Sequence, residues 1–164
     1  MIDIRRMGGL PMSQLILASS SPRRQELLKQ VNIPFLVQKT NIDESAITTS
    51  DPIEKVRELA ILKGKNVPLQ QHEVVLSADT VVAYHKQIFE KPQSKEEAYE
   101  MMKTLSGTTH DVFTGVMIRS QDEHKVFVEK TEVEFWPLTE EEIEWYIETD
   151  EPYDKAGGYG IQSL

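Results

Sequence analysis

Three serines followed by two arginines form a segment that could bind an anionic group. Residues 19–24 have the sequence Ser-Ser-Ser-Pro-Arg-Arg and directly follow the apolar run at 15–18, which is typical of a buried strand. Serine and proline at this point favour a helix start, where free N–H groups and the helix dipole attract phosphate. Arg23 and Arg24 add planar donors that suit phosphate oxygens. An ordinary helix start with two surface arginines explains the same residues equally well, and the segment lacks the pattern of a Walker loop.

Acidic side chains supply the second kind of chemistry. Asp79 follows the apolar run at 74–76, so we expect it at the carboxyl end of a buried strand, where open α/β sheets bind ligands. There it could hold a divalent metal or accept a proton from water, or it could simply cap a turn. The pair Asp43-Glu44 lies in a polar loop and would contribute only if that loop folds towards Asp79.

Two lysines could neutralise phosphate charge. Lys63 lies on a helix predicted at 52–66, and Lys91 lies between Glu90 and Pro92 at the exit of a predicted hairpin. Solvent exposure alone would explain either lysine. Taken together, the candidates indicate an anionic substrate, an oxygen-ligated metal and a hydrolytic water, which is phosphoryl or nucleotidyl chemistry.

Other chemistries are excluded or disfavoured by composition. The chain has no cysteine, which excludes thiol catalysis, cysteine-ligated zinc and a disulfide framework. None of its four histidines has a partner at i+4, so a histidine-ligated zinc site is not expected.

Strands and helices alternate along the chain, which predicts an α/β fold. Strands are predicted at 15–18, 33–37, 74–76, 81–83, 88–89, 111–119 and 125–134. Helices are predicted at 22–30, 52–66, 95–106 and 140–148, the last two introduced by the capping-box patterns of Ser94 with Glu97 and of Thr139 with Glu142. The inward positions of the first two helices are predicted as Leu27, Leu28, Val31, Ile53, Val56, Leu59 and Ala60.

The 164 residues suit one domain, and the charge is unevenly distributed. The formal net charge is -9, yet residues 129–154 contain eleven acids and one base, so the remainder is nearly neutral. This balance disfavours nucleic acid as a partner, and no membrane span or secretory signal is visible, so we expect a cytoplasmic protein. We interpret residues 1–11 as an unstructured N-terminal extension and residues 12–164 as a single domain.

Several ordered motifs resemble those of the Maf-like nucleoside triphosphate pyrophosphatases. They are Leu-Ile-Leu-Ala-Ser-Ser-Ser-Pro-Arg-Arg-Gln-Glu-Leu-Leu at 15–28, Ser-Ala-Asp-Thr at 77–80, Glu-Lys-Pro at 90–92, Leu-Ser-Gly-Thr-Thr-His at 105–110 and Tyr-Asp-Lys-Ala-Gly-Gly-Tyr-Gly-Ile-Gln at 153–162. The last motif is similar to the subfamily that acts on dTTP and UTP. The resemblance implies an elongated mixed-sheet α/β fold with a central cleft, related to the inosine triphosphate pyrophosphatases. It also implies hydrolysis of dTTP and UTP, with modified pyrimidine nucleotides as further candidate substrates, to the monophosphate and pyrophosphate, with Mg²⁺ or Mn²⁺.

The resemblance also assigns roles to residues. It implies that Ser19, Arg23 and Arg24 bind the triphosphate, that Glu44 and Asp79 hold the metal, and that Asp79 accepts a proton from water. Lys63 and Lys91 would neutralise phosphate charge, with Lys91 and Glu44 counted among the catalytic residues. Thr80, Gln162 and Arg23 match the positions that determine specificity. An amide at Gln162 could pair with the N–H and carbonyl groups of uracil or thymine if its neighbours fix its orientation.

The resemblance leaves some properties as expectations. It implies a possible homodimer, and roles in cleaning nucleotide pools and in inhibiting septum formation. Family members continue beyond the position of Gln162, so we expect this chain to lack a C-terminal strand and helix. Two alternatives are a nucleotide-binding regulator of cell division with impaired catalysis, and a general phosphatase or phosphotransferase, which would release orthophosphate.

Overall fold

The structure, a computed structural model, describes residues 13–160. The prediction for residues 1–11 lies outside this range, and the single-domain prediction stays a prediction. The described chain forms two compact units. The first comprises residues 13–48, 53–79 and 115–128, and the second comprises residues 49–52, 80–114 and 129–160.

The chain forms the mixed α/β arrangement that its alternating pattern predicts. The strands are β1 (Gln14–Leu17), β2 (Phe35–Val37), β3 (Glu73–Tyr84), β4 (Gln87–Phe89), β5 (Thr109–Arg119) and β6 (His124–Glu134). The helices are α1 (Pro22–Gln30), α2 (Pro52–Lys65), α3 (Lys95–Leu105) and α4 (Glu140–Ile147), joined by short 3₁₀ turns. The sheet order is β2-β1-β3-β5-β6, with β4 paired to β3. Since β1 pairs in parallel with both β2 and β3, while β3 and β4 are antiparallel, the sheet is mixed.

The first unit has apolar residues on both faces of β1. Alternate side chains of a strand point to opposite faces, and here Leu15 packs with Val74 and Ile118 while Ile16 packs with Val67 and Val75. A buried β1 between two parallel neighbours therefore explains the continuous apolar run at its position.

Helix α2 lies very close to the strands of the first unit. A Cβ at Gly115 would lie 2.2 Å from the carbonyl oxygen of Val56, so β5 and the α2 backbone are in direct contact. Val56, Leu59 and Ala60 are fully buried, as predicted. This contact fixes the helix that carries Lys63.

The second unit is built around the α3–α4 helix pair. Its core contains Val82, Phe89, Met101, Met102, Leu105, Ile143, Tyr146 and Tyr159. The β3–β4 hairpin turns at His85 and Lys86, which both have positive φ, as two-residue turns of this kind require. The predicted capping box of Thr139 and Glu142 is present and begins α4.

Several local predictions are wrong in detail. Leu27 of α1 and Val31, directly after it, are 48% and 61% exposed, and of the three inward positions predicted here only Leu28 packs on a core cluster. Ile53, at the first turn of α2, is also exposed. Half of the predicted box at α3 is present: the Ser94 hydroxyl accepts the backbone N–H of Glu97 and caps the helix. The Glu97 carboxylate, however, accepts the backbone N–H of Gln93 and not that of Ser94.

The largest correction concerns β3. The sequence predicts a strand that ends at Leu76 and a separate one that begins at Val81, whereas the structure has one strand of twelve residues. Polar side chains interrupt the apolar run, but the strand continues through them because the backbone pairing does not depend on side-chain polarity. Asp79 therefore lies inside a strand and not at its carboxyl end.

Candidate active site

The start of α1 gathers polar groups of the first unit. The buried Ser19 hydroxyl accepts hydrogen bonds from the backbone N–H of Ser21 at 3.1 Å and from the Arg24 guanidinium at 3.4 Å. Ser21 occupies the N-cap position as predicted but makes no capping bond with its side chain, and Pro22 begins the helix. Ser19 therefore organises this turn, with the helix N-terminus as a potential anion site.

Arg24 links this turn electrostatically to an acid on β3. Burial lowers the pKa of the Arg24 guanidinium, and the Asp79 carboxylate partly offsets this by favouring the charged form. The charge of Arg23 lowers the Arg24 pKa further, so the two arginines also lie within electrostatic reach of each other. The sequence placed both arginines here, but only the structure relates Arg24 to Asp79.

Lys63 joins the two predicted acidic ligands. Its ammonium lies 2.6 Å from Oδ1 of Asp79 and 3.6 Å from Oε1 of Glu44. The two carboxylate oxygens can therefore be no further apart than the sum of these distances. The side chains of Lys63 and Asp79 are only 15% and 17% exposed, whereas that of Glu44 is 51% exposed. The loop that carries Glu44 therefore folds towards Asp79, which is the condition under which its acids could contribute to the site.

A local turn positions Glu44. The Asp43 carboxylate accepts the backbone N–H of Ser45 at 3.0 Å and caps the 3₁₀ turn Glu44–Ala46. The side chain and backbone of Ser45 both donate to this carboxylate, which lowers the pKa of Asp43. Asp43 thus has a structural role, and Glu44 is the member of the pair whose side chain reaches Lys63.

Thr80 and Lys91 belong to the second unit. The Thr80 hydroxyl lies 3.0 Å from the hydroxyl of Thr114 on β5. Lys91 is exposed after β4, and its carbonyl accepts a weak bond from the Gln93 amide at 3.4 Å. Gln162 lies outside the described residues. The predicted roles of these three residues stay predictions.

The sequence as a whole matches one known family. The family model described as Maf-like protein matches residues 14–164, which is almost the whole chain. The chain belongs to the Maf-like protein family. The resemblance carried by its motifs is thereby confirmed.

Three curated relatives share the description dTTP/UTP pyrophosphatase. A dTTP/UTP pyrophosphatase of Halalkalibacterium halodurans is 50% identical over 155 residues, covering 93% of this chain and 81% of the relative. Proteins of the same description from Geobacillus and from Symbiobacterium thermophilum are 52% and 50% identical over 152 residues each, covering 92% of this chain and 82% and 78% of the relatives.

A solved structure supports the predicted fold class. The Staphylococcus aureus Ham1 protein aligns with a TM-score of 0.51 at 17% identity, covering 74% of this chain and 71% of its own. The mixed α/β fold is thus related to that of Ham1 proteins, as the resemblance implied.

The donor set of the Maf-like protein suits a hard divalent cation. No group of three or more potential metal ligands occurs among residues 13–160. Mg²⁺ is commonly held by one or two carboxylates together with substrate phosphates, and a complete protein cage is not needed. Glu44 and Asp79, which share one ammonium, fit this requirement, and Lys63 neutralises only one of their two negative charges in the structure.

Sequence reasoning missed the contacts that hold this site together. Ser77 donates a hydrogen bond to the Ala60 carbonyl on α2, and Gly64 lets the helix approach that hydroxyl. The sequence did offer one indication of the Ser77 contact: a small polar residue inside an apolar strand, two positions before Asp79. Lys155 was also missed: it is buried and bonded to Glu151 and Asp154, which indicates a structural role in the second unit.

Proposed function

We propose that this protein hydrolyses dTTP and UTP to the monophosphate and pyrophosphate. The observation that carries the proposal is the contact of Lys63 with both Asp79 and Glu44 in the unit that also holds Ser19 and Arg24. A cationic anion-binding turn and a carboxylate pair are what cleavage of a triphosphate requires. The names of the curated relatives support the same substrates.

Each residue of the first unit then has a defined task. The N-terminus of α1, the Ser19 hydroxyl, Arg23 and Arg24 bind phosphate oxygens and stabilise charge on the leaving pyrophosphate. Asp79 orients the attacking water and accepts its proton. Lys63 holds Oδ1 of Asp79 in one orientation and supplies positive charge beside the phosphates.

We assign the cofactor as Mg²⁺ or Mn²⁺, held by Glu44 and Asp79. When bound, the cation would neutralise phosphate charge and lower the pKa of a coordinated water. Each carboxylate has two oxygens, so Glu44 and Asp79 could hold the cation while Oδ1 of Asp79 stays bonded to Lys63.

The remaining roles are proposed from the family resemblance. Thr80, Arg23 and Gln162 would select the pyrimidine base, and Lys91 would contribute positive charge. A homodimer, a cytoplasmic location, cleaning of nucleotide pools and a part in inhibiting septum formation stay predictions. No helix within residues 13–160 is long and apolar enough to cross a bilayer.

Replacing the proposed proton acceptor tests the function. Asp79→Asn keeps the shape of the side chain but removes its charge and basicity, so kcat for dTTP should fall by about 100-fold or more. Asp122→Asn, in the exposed turn between β5 and β6, is the matched control and should retain wild-type turnover. Wild-type turnover in Asp79→Asn would remove the assigned role. Binding of a non-hydrolysable UTP analogue by a wild-type protein that has no turnover would favour the regulator.

A further inference from the structure

A second contact joins α2 to β3 beside the Lys63–Asp79 pair. The hydroxyl of Ser77 donates a hydrogen bond of 2.6 Å to the carbonyl oxygen of Ala60. Both residues are fully buried. A carbonyl oxygen has two lone pairs, so it can accept this bond in addition to a bond within the helix.

The two contacts run side by side. Ser77 and Asp79 are two positions apart on β3, so their side chains point to the same face of the sheet. Ala60 and Lys63 are three positions apart on α2, so they lie on the same side of the helix. The Ser77–Ala60 hydrogen bond therefore fixes the position of α2 along β3, next to the contact between Lys63 and Asp79.

The contact between Ser77 and α2 is closely packed. A Cβ added at Gly64 would lie 2.7 Å from the Ser77 hydroxyl oxygen and 2.9 Å from the sulfur of Met117. The α2 backbone at Gly64 therefore lies directly against the Ser77 side chain.

We propose that Ser77 is a positioning residue for the Lys63–Asp79 pair. The proposal rests on the function proposed above. Without the hydroxyl, no directional bond fixes the position of α2 along β3 at this point. The Lys63 ammonium then holds the Asp79 carboxylate in a broader range of orientations. Small losses of alignment at a reacting centre lower the rate more than they lower substrate affinity.

Ser77→Ala is the first test, with Ser120→Ala as its matched control. Ser120 is a second buried hydroxyl of the first unit, bonded within the β5–β6 turn. We expect Ser77→Ala to lower kcat for dTTP about tenfold with a change in KM of about twofold or less, and Ser120→Ala to leave both unchanged. Cysteine is a weaker hydrogen-bond donor of similar shape, so we expect kcat of Ser77→Cys to lie between those of Ser77→Ala and the wild type. This variant replaces Ser77→Ala in the test if the alanine protein does not fold.

A double-mutant cycle separates positioning from general stability. If Ser77 acts through Lys63, adding Ser77→Ala to Lys63→Met should lower kcat by less than about twofold further. A full tenfold loss in the Lys63→Met background would overturn the proposal, as would an unchanged kcat in Ser77→Ala.

A measurement without substrate keeps the proposal distinct from the proposed function. In protein labelled with ¹⁵N-lysine, the ammonium signal of Lys63 is the one that disappears in Lys63→Met. We expect this signal to shift or broaden in Ser77→Ala and to stay unchanged in Ser120→Ala. An unchanged signal in Ser77→Ala would overturn the positioning role even if dTTP and UTP prove not to be substrates. Absent turnover of both nucleotides by the wild type would instead contradict the proposed function alone.

Discussion

Among single residues, Lys63 is the one on which the arrangement of the acids depends. Its ammonium contacts Asp79 and Glu44, which would otherwise present two negative charges close together. Because Lys63 and Asp79 are largely shielded from water, this attraction is screened less than that of a surface pair. Lys63 thus serves both the shape of the site and its charge balance.

Removal of this ammonium should abolish most of the activity. In Lys63→Met the carboxylates repel each other and the phosphates lose a cation, so we expect kcat for dTTP to fall by about 100-fold. The measurement is steady-state turnover, with circular dichroism to verify folding.

Lys65→Met is the matched control for this change. Lys65 lies in the same last turn of α2 but is exposed, so its replacement should leave turnover unchanged. Equal losses in the two variants would show that the effect comes from the helix and not from the contact with Asp79.

Among the elements, α2 and the strands behind it determine where the site forms. The helix can approach β5 only because position 115 is a glycine, since a Cβ there would collide with backbone atoms of Val56. Backbone atoms cannot rotate away as the end of a side chain can. The separation of α2 from the sheet is therefore fixed by Gly115.

Gly115→Ala should destabilise the protein. Forcing α2 away from β5 costs about 1–3 kcal/mol, as overpacking of a core typically does. Urea unfolding measures the loss, with Thr131→Ala on the exposed part of β6 as a control that should change stability little. A Gly115→Ala protein with wild-type stability would contradict the close approach.

A buried histidine gives the second unit a dependence on pH. His110 on β5 is bonded to the Thr108 hydroxyl on one ring nitrogen and to the Tyr159 hydroxyl, at 2.6 Å, on the other. Burial lowers the pKa of His110 below its ordinary 6.5, although the nearby Asp111 carboxylate partly opposes this. Burial also raises the pKa of Tyr159, which keeps that hydroxyl protonated.

Acid should therefore weaken the second unit. When the folded pKa is lowered, the unfolded chain binds the proton first, so stability is lost as the pH falls below about 6.5. Urea midpoints measured at pH 7 and pH 5 should differ less in His110→Gln than in the wild type. An equal pH dependence of the urea midpoint in both proteins would show that His110 is not its cause.

The elements also show which features a sequence can predict. The capping box of Thr139 and Glu142 was predictable because all its atoms lie within four consecutive residues. The Lys63–Asp79 contact joins residues sixteen positions apart, and it exists only because α2 packs on β3. The continuity of β3 through Ser77 and Asp79 could not be predicted either, because the hydrogen-bond partners of these two side chains lie on α2.

For the whole molecule, the distribution of charge matters more than its sum. Residues 129–154, which belong to the second unit, carry a formal charge of -10, and the rest of the chain carries +1. Ser19, Arg23, Arg24 and Lys63 belong to the first unit. A small polyanion is therefore compatible with the first unit, whereas a nucleic-acid duplex, which is bound through many phosphates, is disfavoured by the total charge.

The products formed from pyrimidine triphosphates test the central claim most directly. Wild-type protein should be incubated with Mg²⁺ and dTTP or UTP, and the phosphorus-containing products separated and identified. We expect pyrophosphate and the nucleoside monophosphate in equal amounts. Release of orthophosphate with the diphosphate, or no turnover of either nucleotide, would contradict it.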